Sequence, residues 1–326
     1  ATPIPANPRT LDGETYGPRF YKQHEIKSIV EHARKRFVTV VPEIELPGHS
    51  VAAMTAYPEL GCTGKDYVVR CFWGIDRRVF CAGKDSTFGF LMDVFDEILP
   101  MFPGKYIHIG GDECPKDSWK KCPLCQKRME DNGLKDEDQL QSYFIGRIEK
   151  YLNSKGKQII GWDEILEGGL APNAAVMSWR GVKGGIAAAK QKHNVIMSPS
   201  SHCYFDYYQA SNKIEPPAIG GYLPLKRTYS YEPIPAELTE AEAKYILGVQ
   251  GNVWTEYMPT FKKMTYMAYP RGCAIAEIGW TDPSQKNYDG FVERLAGHLK
   301  RFDACGANYR KLQGDEHILK KPGKKK

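Results

Sequence analysis

The chain has 326 residues, 42% of them hydrophobic, which is enough to bury a sizeable core and suits a single large domain. Its net charge of +6 owes five positive charges to Lys320, Lys321, Lys324, Lys325 and Lys326, so the body is nearly neutral. No aromatic residues interleave with that tail, which excludes a nucleic-acid arm, and no apolar run is long enough to span a bilayer.

In chain order, residues 1–19 are rich in Pro, Gly and Asn and open on a polar stretch; they read as a loop leading into a helix, with no signal peptide. Apolar, β-branched runs predict strands at 37–44, 106–109, 158–162, 175–179, 194–198 and 246–250. Amphipathic periodicity predicts helices at 24–36, 88–102, 138–153, 184–192, 264–278 and 288–302. This alternation argues for an α/β fold with a parallel sheet. A (β/α)8 barrel of the TIM type needs eight strands, so the first two are expected to be absent from this chain. The expected organisation is a loop remnant at 1–19, a catalytic barrel at 20–313 and a basic tail at 314–326.

The nine cysteines, Cys62, Cys71, Cys81, Cys114, Cys122, Cys125, Cys203, Cys273 and Cys305, are irregularly spaced and leave the redox compartment open. Cys122 and Cys125 form a CxxC near Cys114. No second CxxC and no Cys/His pair follows at finger spacing, so no metal site is expected.

Nearly every predicted strand ends in a carboxylate, a tryptophan or a histidine. Glu43, Glu45 and His49 follow the first, His108, Asp112 and Glu113 the second, and Trp162, Asp163 and Glu164 the third. Trp179, then Tyr204 and Asp206, then Trp254 and Glu256 complete the series. Strict alternation points Asp112 and Glu113 apart. The preceding Gly110-Gly111 allows a bend that turns both carboxylates into one cavity, where neighbouring acids separate their pKa values. A Gly-rich turn bearing two solvated acids is the plainer reading of that tetrapeptide. The tryptophans at the same rim favour a sugar pocket, because aromatic faces pack on C–H faces while acids bond hydroxyls.

The stretches VPEIELPGHS, YIHIGGDE, IIGWDEILEGGL, VMSWRG, YFDYY and GVQGNVWTE resemble the motifs of glycoside hydrolase family 20, the β-N-acetylhexosaminidases, over Tyr16 to about Phe302. The resemblance implies a β/α barrel and an exo-acting, retaining, substrate-assisted hydrolysis of terminal β-linked N-acetylhexosamine through an oxazolinium intermediate, with no cofactor and no metal. It implies that Glu113 is the general acid, that Asp112 holds the acetamido nitrogen and that Tyr204 bonds the acetamido oxygen. It further implies that Trp162, Trp179 and Trp254 box the sugar, that Asp206 and Glu256 bond ring hydroxyls, that Glu164 is an acidic site residue and that His49 lies beside the acid. Glu43 and Glu45 are expected to support the site without touching substrate. A homodimer and a periplasmic, secreted or cell-surface location are the matching expectations. Family members carry a sugar-gripping arginine on the first barrel strand, so a weak or inactive sugar-binding fragment is the alternative. A metal-dependent hydrolase using His49, His108, Asp112 and Glu164 is a further rival, distinguished by sensitivity to chelators.

Overall fold

The structure, a computed structural model, describes residues 20–70 and 74–312. The expected loop remnant and basic tail lie outside the described residues. The described residues divide into two compact units: 20–178 together with Lys183–Val195, and Trp179–Val182 together with 196–312.

In the first unit, helix α1 (Gln23–Arg34) precedes strand β1 (Glu43–Leu46), α2 (Val51–Ala56), α3 (Asp85–Ile98) and β2 (Tyr106–Gly110). Then come α4 (Asp117–Lys121), α5 (Pro123–Asp131), α6 (Glu137–Ser154), β3 (Gln158–Trp162), β4 (Ala175–Ser178) and α7 (Lys183–Lys190). The strands pair in parallel in the order β1-β2-β3-β4, with Glu43 opposite His108, Tyr106 opposite Gln158 and Ile160 opposite Ala175. Ile107, His108 and Ile109 are all buried, as expected where both faces of a parallel sheet are covered. Helix α6 shows why its sequence is helical: the Asp136 side chain accepts from Gln139 N at 2.9 Å, and Leu140, Phe144, Ile148 and Leu152 repeat on one buried face.

The first strand begins later than expected. Val38 N donates to Ala33 O at 3.0 Å and Phe37 N to Arg34 O at 3.0 Å, so residues 37–38 close α1. Phe37 takes φ 59° and is fully exposed, and pairing begins only at Glu43. An apolar run after a helix end is ambiguous by pattern alone, and here helix termination takes its first residues.

The second unit takes all of β5 (Val195–Met197) but its first residue, then α8 (Ser200–Cys203), β6 (Tyr207–Tyr208), β7 (Gly220–Tyr222), α9 (Leu225–Tyr229), α10 (Glu240–Ala243) and β8 (Ile246–Val249). It ends with α11 (Phe261–Ala268), α12 (Arg271–Trp280) and α13 (Tyr288–Ala304). The helix expected at 264–278 is two helices. Pro270 lacks an N–H and its ring excludes the preceding turn, so α11 stops at Ala268 and α12 restarts behind the proline. The small ribbon β6-β7 was not foreseen, because its strands are too short to show periodicity.

Arg271, wholly buried, organises this unit. Its Nη1 donates to Tyr207 O and Leu223 O at 3.0 and 3.1 Å, and its Nη2 to Phe205 O and Met267 O at 2.5 and 2.6 Å. Burial lowers its pKa to about 9, so it remains charged at neutral pH. One planar cation therefore satisfies carbonyls on both sides of Asp206 and at the end of β7. Arg271→Met should strand those carbonyls and cost roughly 3–5 kcal/mol in denaturant unfolding; a loss within experimental error would show that the cation is dispensable.

Candidate active site

The acid pair sits in the first unit, immediately after β2. Gly110 and Gly111 adopt φ 67° and 87°, and Glu113 itself adopts φ 43°. A Cβ on Gly110 would meet only the end of the Glu45 side chain, which can move, so it is the left-handed backbone that calls for glycine there. The resulting bend brings both carboxylates to one imidazole: His49 Nε2 lies 3.5 Å from Asp112 Oδ2 and 3.4 Å from Glu113 Oε2. His49 also has a left-handed backbone, φ 49°. Two non-glycine residues in this region, facing each other across an ion pair, are strain of about 1–3 kcal/mol each that the surrounding structure must hold.

His49 is held as a cation. Its contacts with Asp112 and then Glu113 raise its pKa to about 10 against the opposing effect of burial. An imidazolium has no free lone pair, so the group formed by His49, Asp112 and Glu113 suits a bridging cation better than a bound metal. The resemblance placed His49 beside the acid; in the structure its charge is shared between both carboxylates.

Glu43 and Glu45, both on β1, border this group. Burial, followed by the charges of Asp112 and Glu43, pushes the Glu45 carboxyl up to about 9, so it is neutral at physiological pH. Burial acts the same way on Glu43, but His108 Nδ1 at 3.1 Å and the Trp162 Nε1 donor at 2.9 Å overcome it and keep Glu43 below the usual carboxylate range. Trp162 is only 2% exposed and packs on His108 with ring centroids 4.9 Å apart. Glu164 is buried on the turn after β3.

Two residues that sequence reasoning missed hold the acid loop. Gln141, buried on α6, donates from Nε2 to Gly111 O at 2.7 Å. Its Oε1 accepts from Lys116, which also donates to Cys114 O at 3.0 Å. A glutamine inside an amphipathic helix gives no sequence signal, because its partner is a backbone carbonyl 30 positions away.

The second unit gathers Trp179, Tyr204, Tyr207 and Trp254. Tyr204 is centred among them: its ring is stacked 6.0 Å from Trp179 and lies 5.7 Å from Tyr207 and 6.5 Å from Trp254. Burial drives the Tyr204 phenol well above its ordinary pKa, against hydrogen bonds from Trp254 and Asn252. The hydroxyl therefore keeps its proton and can donate it. Asp206 is 4% exposed with Oδ1 unpartnered among the described residues. Burial, then the charge of Glu256, lifts its carboxyl to about 7 although Arg271 acts against this. Glu256 itself is exposed. The expected site residues thus form two groups: Glu113, Asp112, His49, Trp162 and Glu164 in one unit, and Tyr204, Trp179, Trp254, Asp206 and Glu256 in the other. No described helix is long and apolar enough to cross a membrane.

The model of the glycosyl hydrolase family 20 catalytic domain matches residues 6–283. The chain is 55% identical over 299 residues to a β-hexosaminidase of Porphyromonas gingivalis, covering 91% of this chain and 38% of that protein. Among solved structures it is similar to a β-N-acetylhexosaminidase with a TM-score of 0.84 and 31% identity, over 98% of this chain and 71% of the other. A family 20 exo-β-N-acetylglucosaminidase from Vibrio harveyi, solved with N-acetylglucosamine, aligns with a TM-score of 0.81 and 33% identity over 92% and 47% of the two chains. The chain therefore spans less than two-fifths of its Porphyromonas relative. The fold class is the α/β barrel expected from the alternation of strands and helices. The chain belongs to glycosyl hydrolase family 20, of whose catalytic domain it is a member.

Proposed function

We propose that this domain releases terminal β-linked N-acetylhexosamine from glycans, using the substrate's own acetamido group as nucleophile. The observation that carries the reading is the left-handed turn that brings Asp112 and Glu113 to one His49 cation. A retaining enzyme with its own nucleophile needs two carboxylates on opposite sides of the bond, about 5 Å apart. Adjacent carboxylates sharing one cation suit a different division of labour.

In this mechanism Asp112 keeps the His49 cation while Glu113, protonated in the substrate complex, donates its proton to the leaving oxygen; the acetamido oxygen attacks the anomeric carbon, and the C–O bond to the leaving group breaks. Asp112 accepts from the acetamido N–H and balances the positive charge of the oxazolinium ring. The Tyr204 hydroxyl donates to the acetamido oxygen and aligns it for attack. Glu113, now a carboxylate, removes a proton from water, which opens the ring at the anomeric carbon with net retention. Proximity and fixed charge supply most of the acceleration. Trp179 and Trp254 offer faces to the sugar ring, with Asp206 and Glu256 as acceptors for its hydroxyls. Trp162, buried and bonded to Glu43, acts as a wall.

Aryl β-N-acetylglucosaminide should be hydrolysed by the purified protein and aryl β-glucoside left untouched, since the glucoside has no internal nucleophile; comparable rates on both would overturn the mechanism. Glu113→Gln should lower kcat by about 10²–10⁴ on poor leaving groups and far less on activated aryl ones. A loss independent of the leaving group would remove Glu113 from the acid role.

Asp206 gives a pH signature. Its free-enzyme pKa lies above the ordinary 3.8, at about 7, and its ionised form is the better acceptor for a sugar hydroxyl. Rising pH should therefore increase kcat/KM through about 7. In Asp206→Asn that rising limb should disappear, with a loss of about 10–100-fold at pH 8. Because the folded pKa is the higher one, ionisation opposes folding between about 3.8 and 7. The variant should thus match wild type in thermal stability below that window and exceed it above. An unchanged profile would remove Asp206 from the substrate's reach.

A further inference from the structure

Four cysteines with no part in that chemistry converge in the first unit. The sulfurs of Cys62, Cys81, Cys122 and Cys125 all lie within 4.8 Å of one another. Cys81 Sγ is 3.6 Å from Cys125 Sγ and 3.8 Å from Cys122 Sγ, and Cys62 Sγ is 3.9 Å from Cys125 Sγ. All four are free thiols. A disulfide holds its sulfurs at about 2.05 Å, so none of these separations is a bond. With zinc–sulfur bonds of about 2.3 Å, the edge of a tetrahedron of sulfurs is about 3.8 Å. The three separations cluster at that edge.

The backbone assembles the group from three segments. Gly61 and Phe80 form an antiparallel bridge, and Cys81 N donates to Leu60 O at 2.8 Å, which sets Cys62 beside Cys81. Cys122 caps α5 and Cys125 lies in its first turn, so the helix presents both thiols and its free N–H groups on one side. Gly83 closes the approach: a Cβ there would stand 2.3 Å from the Leu124 carbonyl carbon, backbone against backbone. Lys84 donates to Glu59 O and Gly61 O at 2.7 Å, and Arg128 to Gly83 O at 3.1 Å, so two cations flank an array that becomes anionic when its thiols ionise. Cys81, Cys122 and Cys125 are buried, while Cys62 is partly open to solvent, an entry for an ion.

We propose that Cys62, Cys81, Cys122 and Cys125 bind one zinc ion as a closed structural site. Four thiolates with no oxygen or imidazole among them form a soft, tetrahedral donor set, suited to zinc. Binding releases the four thiol protons to solvent and involves no change of oxidation state. The ion would brace the loops around the acid pair. Phe80 N donates to Pro47 O at 3.0 Å, two residues before His49, and Trp119 Nε1 donates to Phe80 O at 2.8 Å from the helix that follows the Asp112-Glu113 turn. The site stands whether or not the hydrolytic reading holds.

Protein purified without chelator should carry about one zinc per chain by elemental mass spectrometry, released on titration with an organomercurial. Cys125→Ser should retain less than about a tenth of that zinc, whereas Cys305→Ser, at an exposed cysteine after α13, should retain all of it. Should Cys125→Ser fail to fold, wild-type protein loaded with cobalt decides the matter: thiolate-to-cobalt charge-transfer bands with tetrahedral d–d bands support the site. Zinc-free protein that takes up no cobalt after reduction would overturn it. So would iron in place of zinc, or an intact mass showing the cysteines joined as disulfides.

Discussion

The His49 cation between Asp112 and Glu113 is the contact on which the first unit is built. Two of the three members have an unfavourable backbone, His49 and Glu113 being left-handed, and two glycines with positive φ precede the acids. Such conformations persist only where the surroundings allow nothing else. Here β1 fixes one side and β2 the other, paired with Leu46 opposite Gly110, the last residues of the two strands. Gln141 and Lys116 hold the acid loop from α6 and from the start of α4. On β1, Glu45 is held neutral by burial and by the charges of Asp112 and Glu43, while His108 and Trp162 keep Glu43 ionised.

The second unit solves a similar problem with a different cation. Arg271 donates to carbonyls at Phe205 and Tyr207 and thereby fixes the peptide segment that carries Asp206. Its side chain is fully buried, so it acts through backbone geometry and through a charge felt by Asp206. The net effect on Asp206 is still upward, because burial and Glu256 outweigh the attraction. Each unit thus sets a cation near its carboxylates: His49 contacts Asp112 and Glu113 directly, and Arg271 holds the carbonyls on either side of Asp206.

The cysteines show where spacing rules fail. Finger-type motifs are recognised when both ligand pairs lie in short local hairpins. Here one pair, Cys122 and Cys125, is local, and the other is assembled by the Gly61–Phe80 bridge from positions far apart in the chain. Nothing in the intervening residues marks Cys62 and Cys81 as neighbours. The bridge does so in three dimensions, and the close approach of Gly83 to Leu124 brings that pair to Cys122 and Cys125.

Strand and helix identities could be read from periodicity, since burial of one face imposes it locally; α6 and β2 match within a residue or so. The acid pair and its bend could be read from Gly110-Gly111, because positive φ leaves a compositional mark. Family membership was legible from motifs in register. The ends of elements were not, as at Phe37 and Pro270, where a helix stop competes with an apolar pattern. Nor were the charge states of His49, Glu45 and Asp206, nor the roles of Gln141, Arg271 and the four cysteines. These depend on partners brought together from distant positions and on how much water remains around them, and only the folded chain determines either.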